Sequence, residues 1–393
     1  MMSIALIRAP SLRRPGGDGA ERRATWLELF FDLAFASAIA DAGVALSTDY
    51  TPLGLLRFSV VFFLIWWAWV GHTFFSTWFD NDDLVHRLLT LAQVFLVAVM
   101  SVNTRTDMAT REAAGFVAAY AGIRLLLAIQ YSRVLAIGES RPFVLRQTVW
   151  IAAAAVTWIA AAVASPSTRL SVMGVAVLLE LAGPFAARRA GGTVPADPAH
   201  LPERFGLFTL IMIGQSVVAI TAGMRRQEQW TAPAAASALL GMLLAFSLWW
   251  AYFDSLGAAK PKPGRSRRHQ QRMRAWAGVH LPLTFGIAVA AVGIEQAITR
   301  DGVTPLGGGA PLLAAGIGLV VIALGVLGLV DPDAPEAPWA PVLLRYGGVA
   351  GLLVPMAALG GAIAPVWLLG WFVVLMVVLI AVAQRIRARP TGA

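Results

Sequence analysis

Residues Trp26 to Gly43, WLELFFDLAFASAIADAG, decide the fold. The stretch is almost long and apolar enough by itself to cross a bilayer, which takes about 20 residues of helix. It nonetheless carries Glu28, Asp32 and Asp41. A charge at the centre of a spanning helix costs about 2.5 to 3.5 kcal/mol on insertion scales, so such residues face protein and have a role there. The stretch therefore predicts a helix inside a bundle, not a lone anchor. Glu28 and Asp32 are four apart and share a face; Asp41, nine residues further on, points the other way near the opposite end.

The rest of the chain supplies the bundle. Of 393 residues, 58% are hydrophobic and 13% charged, and the mean hydropathy is +0.69, values outside the range of soluble domains. The fold class expected is an all-α polytopic membrane protein of about 12 transmembrane helices, at roughly 26–46, 53–78, 84–102, 113–132, 146–164, 170–187, 205–222, 233–256, 276–298, 311–330, 342–361 and 365–384. Glycine and proline punctuate most joints, as in STDYTP, SPSTR and DGVTPLGGG. The first 25 residues lack the long apolar core of a cleaved signal and read as a basic cytoplasmic tail. The division expected is a tail (1–25), a first six-helix half (26–187), a cytoplasmic linker (188–204), a second half (205–384) and a cytoplasmic C-terminal tail (385–393).

Charge sets the orientation. If the N-terminus is inside, the tails and even-numbered loops hold 23 of the 31 Lys and Arg residues and the other side seven, with Arg124 inside a span. This bias predicts both termini in the cytoplasm. It also accounts for the net charge of +9 without nucleic acid. The loop KPKPGRSRRHQQRMR reads first as an orienting signal, and its Lys260, Lys262, Arg265, Arg267 and Arg268 are candidates for anionic lipid contact. The chain has no cysteine and five scattered histidines, so no metal site or cofactor is expected. No P-loop, dinucleotide fingerprint or serine elbow is present, and no enzyme activity is expected.

A weak internal echo suggests two parallel halves. WWAWVGHTFFSTWFD near the end of the second span returns shortened as WWAYFD near the end of the eighth, and the first and seventh spans share an acidic, Phe-rich opening. Six crossings between equivalents would leave them facing the same way, with a pseudo-two-fold along the membrane normal.

WLELFFDLAFASAIA, HLPERFGLFTLIMIGQSVVAI and VHLPLTFGIAVAAVGIEQAI together resemble the bacterial low temperature requirement protein A family, from about Trp26 to the last span. The resemblance implies a polytopic bacterial inner-membrane protein, of a family named for growth in the cold. Glu28, Asp32, Glu203, Arg204, His280 and Glu295 match the family pattern. Gly214-Gln215 departs from it, since the family has Gly-Glu there, so a proton-carrying role for that glutamate does not transfer to Gln215.

The polar residues of the spans are the site candidates. Glu28 alone could be a first-turn acid favoured by the helix dipole; Asp32, a turn deeper, is harder to explain that way. Two stacked carboxylates repel unless a proton or a basic partner joins them, and His72, Arg87 and His280 lie at a comparable inner depth. His72 and His280 read either as helix-to-helix hydrogen bonds or as pH-responsive relay partners, and Pro282 is expected to loosen its helix. Arg124 and Glu180 reach similar depth near the midplane and are expected to form an ion pair. Glu295 marks the outer end of the ninth span. Trp66, Trp67, Trp69, Trp78, Trp249 and Trp250 suggest an inner interfacial belt, and Gly347 and Gly351 a close helix contact.

Two functions follow from this reading. The first is a proton-coupled secondary transporter of a small solute acting through Glu28, Asp32, His72 and His280, which would line a cavity open to the cytoplasm. The second is a membrane scaffold or sensor supporting envelope function and growth in the cold, in which the same residues are paired and dry.

Overall fold

A computed structural model describes residues 11–12, 24–80, 83–106, 108, 110–136, 141–189, 200–256, 266–332 and 342–387. Lys260, Lys262 and Arg265 of the basic loop lie outside them, as does most of each tail. The described residues form twelve α-helices: α1 (Trp26–Leu46), α2 (Pro52–Trp78), α3 (Leu84–Val102), α4 (Ala114–Arg133), α5 (Arg141–Val163), α6 (Pro166–Arg189), α7 (His200–Arg225), α8 (Ala232–Leu256), α9 (Arg267–Thr299), α10 (Gly309–Val330), α11 (Gly348–Leu359) and α12 (Pro365–Arg387). The one extended pairing among them is a two-residue antiparallel ladder, β1 (Ser11–Leu12) with β2 (Phe79–Asp80).

Local chemistry starts these helices where they start. Proline opens α2, α6 and α12, where its missing N–H costs nothing. Asp83 caps α3 by accepting the His86 N–H at 2.7 Å, and Ser266 caps α9 by accepting that of His269 at 3.1 Å. At α1 the cap is reciprocal: the Glu28 N–H donates to Thr25 Oγ1 at 3.2 Å and the Thr25 N–H donates to Glu28 Oε2 at 2.7 Å.

Ten of the helices are long and apolar enough to cross a membrane. α6 and α11 are the other two. The single span expected over 342–361 is interrupted: a π turn (Leu343–Gly347) leads into the 12 residues of α11, which contain Pro355, and a 3₁₀ turn (Gly360–Ala362) follows. Glycine density and a proline inside the helix are the physical reason, since both weaken the regular ladder.

The chain divides into two compact units, residues 1–42 with 60–204, and residues 43–59 with 205–393. In the first, α3, α4, α5 and α6 pack each on the next in chain order. Phe75, Phe79, Tyr131 and Phe143 fill the core beneath them. The polarity of α3 is inverted relative to a soluble helix: Leu88, Leu91 and Phe95 are exposed while Thr90 and Gln93 are buried, as lipid on one side and protein on the other require.

In the second unit α9 packs along α10, α8 against α12, and α10 against α11. Glycines bring α9 and α10 together: a Cβ on Gly286 would stand 2.8 Å from the Gly316 carbonyl, and one on Gly293 2.7 Å from the Leu313 Cβ. The close contact expected at Gly347 and Gly351 is not there, since both glycines face open space.

Candidate functional site

The buried charges of the first unit gather where α1 meets the first turn of α7. The seventh helix begins at His200, not at 205, so His200 and Arg204 occupy one helical turn and present the same four-residue spacing as Glu28 and Asp32. Glu28 Oε1 lies 3.3 Å from His200 Nε2 and 3.5 Å from Arg204 Nη1. Asp32 Oδ1 accepts from Arg204 Nη2 at 2.5 Å and from the indole Nε1 of Trp69 at 2.7 Å. The Thr25 hydroxyl donates to Glu28 Oε2 at 3.0 Å. Asp32 and Arg204 are 0% exposed and Glu28 7%, so the charges compensate one another away from bulk water. Among the described residues Asp32 Oδ2 has no hydrogen-bond partner. Two carboxylates thus face one guanidinium and one imidazole.

A second buried cluster ties α4, α5 and α6. Arg124 Nε forms an ion pair with Glu180 Oε1 at 2.9 Å, and the carboxylate accepts hydrogen bonds from the Tyr120 hydroxyl at 3.0 Å and the Trp158 indole at 2.9 Å. Gly71 on α2 makes room for the guanidinium, since a Cβ there would stand 2.8 Å from Arg124 Nη1. Every strong acceptor of Glu180 is occupied, which is the geometry of a structural tie.

His72 is buried on α2 with its ring stacked on Phe31, centroids 4.1 Å apart, and on His86 at 6.3 Å. Arg87 sits in the first turn of α3, where its backbone N–H bonds the Asp83 carbonyl. The partners of Glu28 and Asp32 are thus Arg204 and His200, which the hydropathy reading had put in a cytoplasmic linker. The available signals were Pro202, a residue that favours the first turn of a helix, and the four-residue spacing of His200 and Arg204. Trp66 and Trp69 are 3% and 0% exposed, so these two belong to the core and not to an interfacial belt.

The second unit holds the remaining candidates. His280 is enclosed by Phe205, Trp276 and Tyr252. Its Nδ1 bonds the Trp276 carbonyl at 2.9 Å and its Nε2 the Tyr252 hydroxyl at 2.9 Å. A carbonyl only accepts, so Nδ1 carries the hydrogen, and in the neutral ring Nε2 accepts from the phenol. α9 runs unbroken through Pro282, with the Thr284 hydroxyl bonded to the His280 carbonyl at 2.6 Å. Glu295 pairs with Arg226 at 2.9 Å, and Gln215 is half-buried on α7. Nearby Tyr50, between α1 and α2, has its phenol pushed up to about 12 by burial. Glu28, Asp32, His72 and His280 are all buried. No group of three or more His, Asp or Glu residues suited to a metal ion occurs among the described residues.

Comparison with known proteins agrees with the long apolar helices. An uncharacterized protein of Rhizobium meliloti (strain 1021) is 26% identical over 313 residues, covering 74% of this chain and 72% of its own. The model of the bacterial low temperature requirement A protein (LtrA) family matches residues 23–382. The protein is an integral multi-pass bacterial membrane protein, and it belongs to the bacterial low temperature requirement A family.

Proposed function

We propose that the protein is a proton-coupled secondary transporter of a small solute, with Glu28, Asp32, His200 and Arg204 as its coupling site. The observation that carries this reading is the buried cluster itself: two carboxylates face one arginine and one histidine, and Asp32 Oδ2 has no partner among the described residues. One proton added to either carboxylate of such a buried group weakens its pairing with the α7 arginine. That is the property an alternating transporter needs at the point where substrate and proton exchange. No catalytic step and no cofactor belong to this reading.

The rest of the assignment follows from the sequence. Both termini lie in the cytoplasm by the distribution of Lys and Arg, and the basic run from Lys260 to Arg268 contacts anionic headgroups there. The two halves are parallel repeats. Besides the Trp-rich echo, VHRLLT (Val85 to Thr90) opens α3 as VHLPLT (Val279 to Thr284) continues α9, the third helix of each half. Both threonines are buried.

A scaffold is the second reading, favoured by the dense pairing of the same residues. Proteoliposomes containing the full chain and a trapped pH dye decide between the two. On adding a low-molecular-mass bacterial extract, the wild type is expected to move protons. Asp32→Asn should lower that flux by about tenfold or more, the scale set by loss of a charged hydrogen bond. A folded wild type that moves no protons with any fraction of the extract would leave the scaffold reading standing.

A further inference from the structure

α9 is longer than a bilayer needs. Its 33 residues extend about 50 Å at about 1.5 Å per residue, against about 30 Å of hydrocarbon. The stretch from Ala275 to Ile294, 20 residues without Asp, Glu, Lys or Arg, fills that thickness by itself. Arg274 therefore stands at the edge of the hydrocarbon and Arg268 about 9 Å further out, so the excess is helix at the depth of the lipid headgroups. Its sequence is RRHQQRMR, Arg267 to Arg274, and no acidic residue lies between Asp254 and Glu295 in the chain.

Packing holds this extension as part of the fold. Met273 and Trp276 are buried, and the Trp276 ring meets that of Phe205 on α7 edge to face, centroids 5.6 Å apart. Arg272 donates through Nη2 to the Leu329 carbonyl at 2.9 Å, which ties it to the last turn of α10. Away from the buried side, Arg268 and Gln271 are exposed, and Arg274 on the flank is half-buried. Successive spacings of three make these side chains neighbours on the helix surface. Ala275 and Gly278 carry the exposed side on into the apolar stretch. One face thus runs from guanidinium groups into hydrocarbon, which suits a phospholipid better than a soluble polyanion.

Charge argues for the same occupant. Arginines here stand at the positive end of the helix dipole, where anions are favoured and cations are not, and no acidic residue occupies the first turn. Arg268 and Arg272, four apart, repel each other. A phosphate beside them lowers both costs and accepts charge-assisted hydrogen bonds from the guanidinium groups.

We propose that Arg268, Gln271 and Arg274 form a docking surface for the phosphate of an anionic phospholipid, with Arg272 positioning the helix through its tie to α10. This rests on the headgroup contact read above from the run Lys260 to Arg268, and moves its centre along α9 to residues that are helical; it is independent of the transport reading. A bound lipid holds this end of α9 at headgroup level and so sets the depth of every residue on the same unbroken helix, His280 included.

The test is native mass spectrometry of the full chain in neutral maltoside micelles with added phosphatidylglycerol, phosphatidylcholine or inorganic phosphate. Phosphatidylglycerol is expected to bind more tightly than phosphatidylcholine, and less tightly as ionic strength rises. Arg268→Gln and Arg274→Gln should each weaken it about fivefold, the factor for one basic residue at an anionic surface, and the double variant about 25-fold. Arg268→Lys, which keeps the charge, should bind within about twofold of the wild type. Equal binding of the two lipids by the wild type overturns both this surface and the headgroup contact it rests on. Binding that is indifferent to the glutamine changes but lost in Lys260→Gln with Lys262→Gln overturns this surface alone. Inorganic phosphate that displaces the lipid at equal concentration makes the ligand a free anion and overturns the lipid assignment.

Discussion

Remove the Arg204 guanidinium and Glu28 and Asp32 are left facing the same buried space one helical turn apart, with only His200, Trp69 and Thr25 to hold them. Leaving a buried charge unpaired costs about 3–5 kcal/mol, whereas replacing both members of a pair by apolar groups is often neutral. Arg204→Met is therefore expected to lower unfolding stability in micelles by about 3–5 kcal/mol, and Arg204→Met with Asp32→Leu to recover a large part of that loss. Equal stability of the single and double variants would show that the arginine and Asp32 are not coupled. The sequence is uneven at this scale. The depths of Arg124 and Glu180 can be counted from the ends of their helices, and their chemistry does the rest. Arg204 escaped such counting because hydropathy places a charged residue beside a proline outside the span, and no local rule ties it to a carboxylate 172 residues earlier.

Elements are where the sequence speaks most clearly, because length and apolar content fix a membrane helix almost without reference to its neighbours. Ten of the twelve helices meet those two conditions, whereas α6 and α11 do not, and α9 begins nine residues before the expected 276. What hydropathy does not contain is which glycine faces which helix. Gly347 and Gly351 have the spacing of a contact motif, yet open space surrounds them, while Gly286 and Gly293 on α9 meet α10 at less than the separation a methyl group needs. Gly293→Val is accordingly expected to destabilise the chain by about 1–3 kcal/mol through overpacking against Leu313. Gly351→Ala should stay within about 0.5 kcal/mol. Thermal unfolding in detergent measures both, and a Gly293→Val variant as stable as the wild type would remove the close crossing of α9 and α10.

At the scale of the whole molecule, the excess of Lys and Arg on one side predicts termini that face the cytoplasm. A chain without cysteine makes this directly measurable. Single cysteines placed at Gly264 and Thr391 are expected to react with an impermeant maleimide only in inside-out vesicles, and cysteines at Gln229 and Asp301 only in intact cells. The reverse pattern would invert the orientation of every span. The order of synthesis adds a further consequence. Asp32 leaves the ribosome 172 residues ahead of Arg204, and at about 5–20 residues per second that is a wait of roughly 9 to 35 s. For that time the nascent first helix carries acidic side chains with their guanidinium not yet made. Release straight into lipid would expose them, so α1 must linger at the insertion machinery, or be sheltered beside it, until α7 emerges.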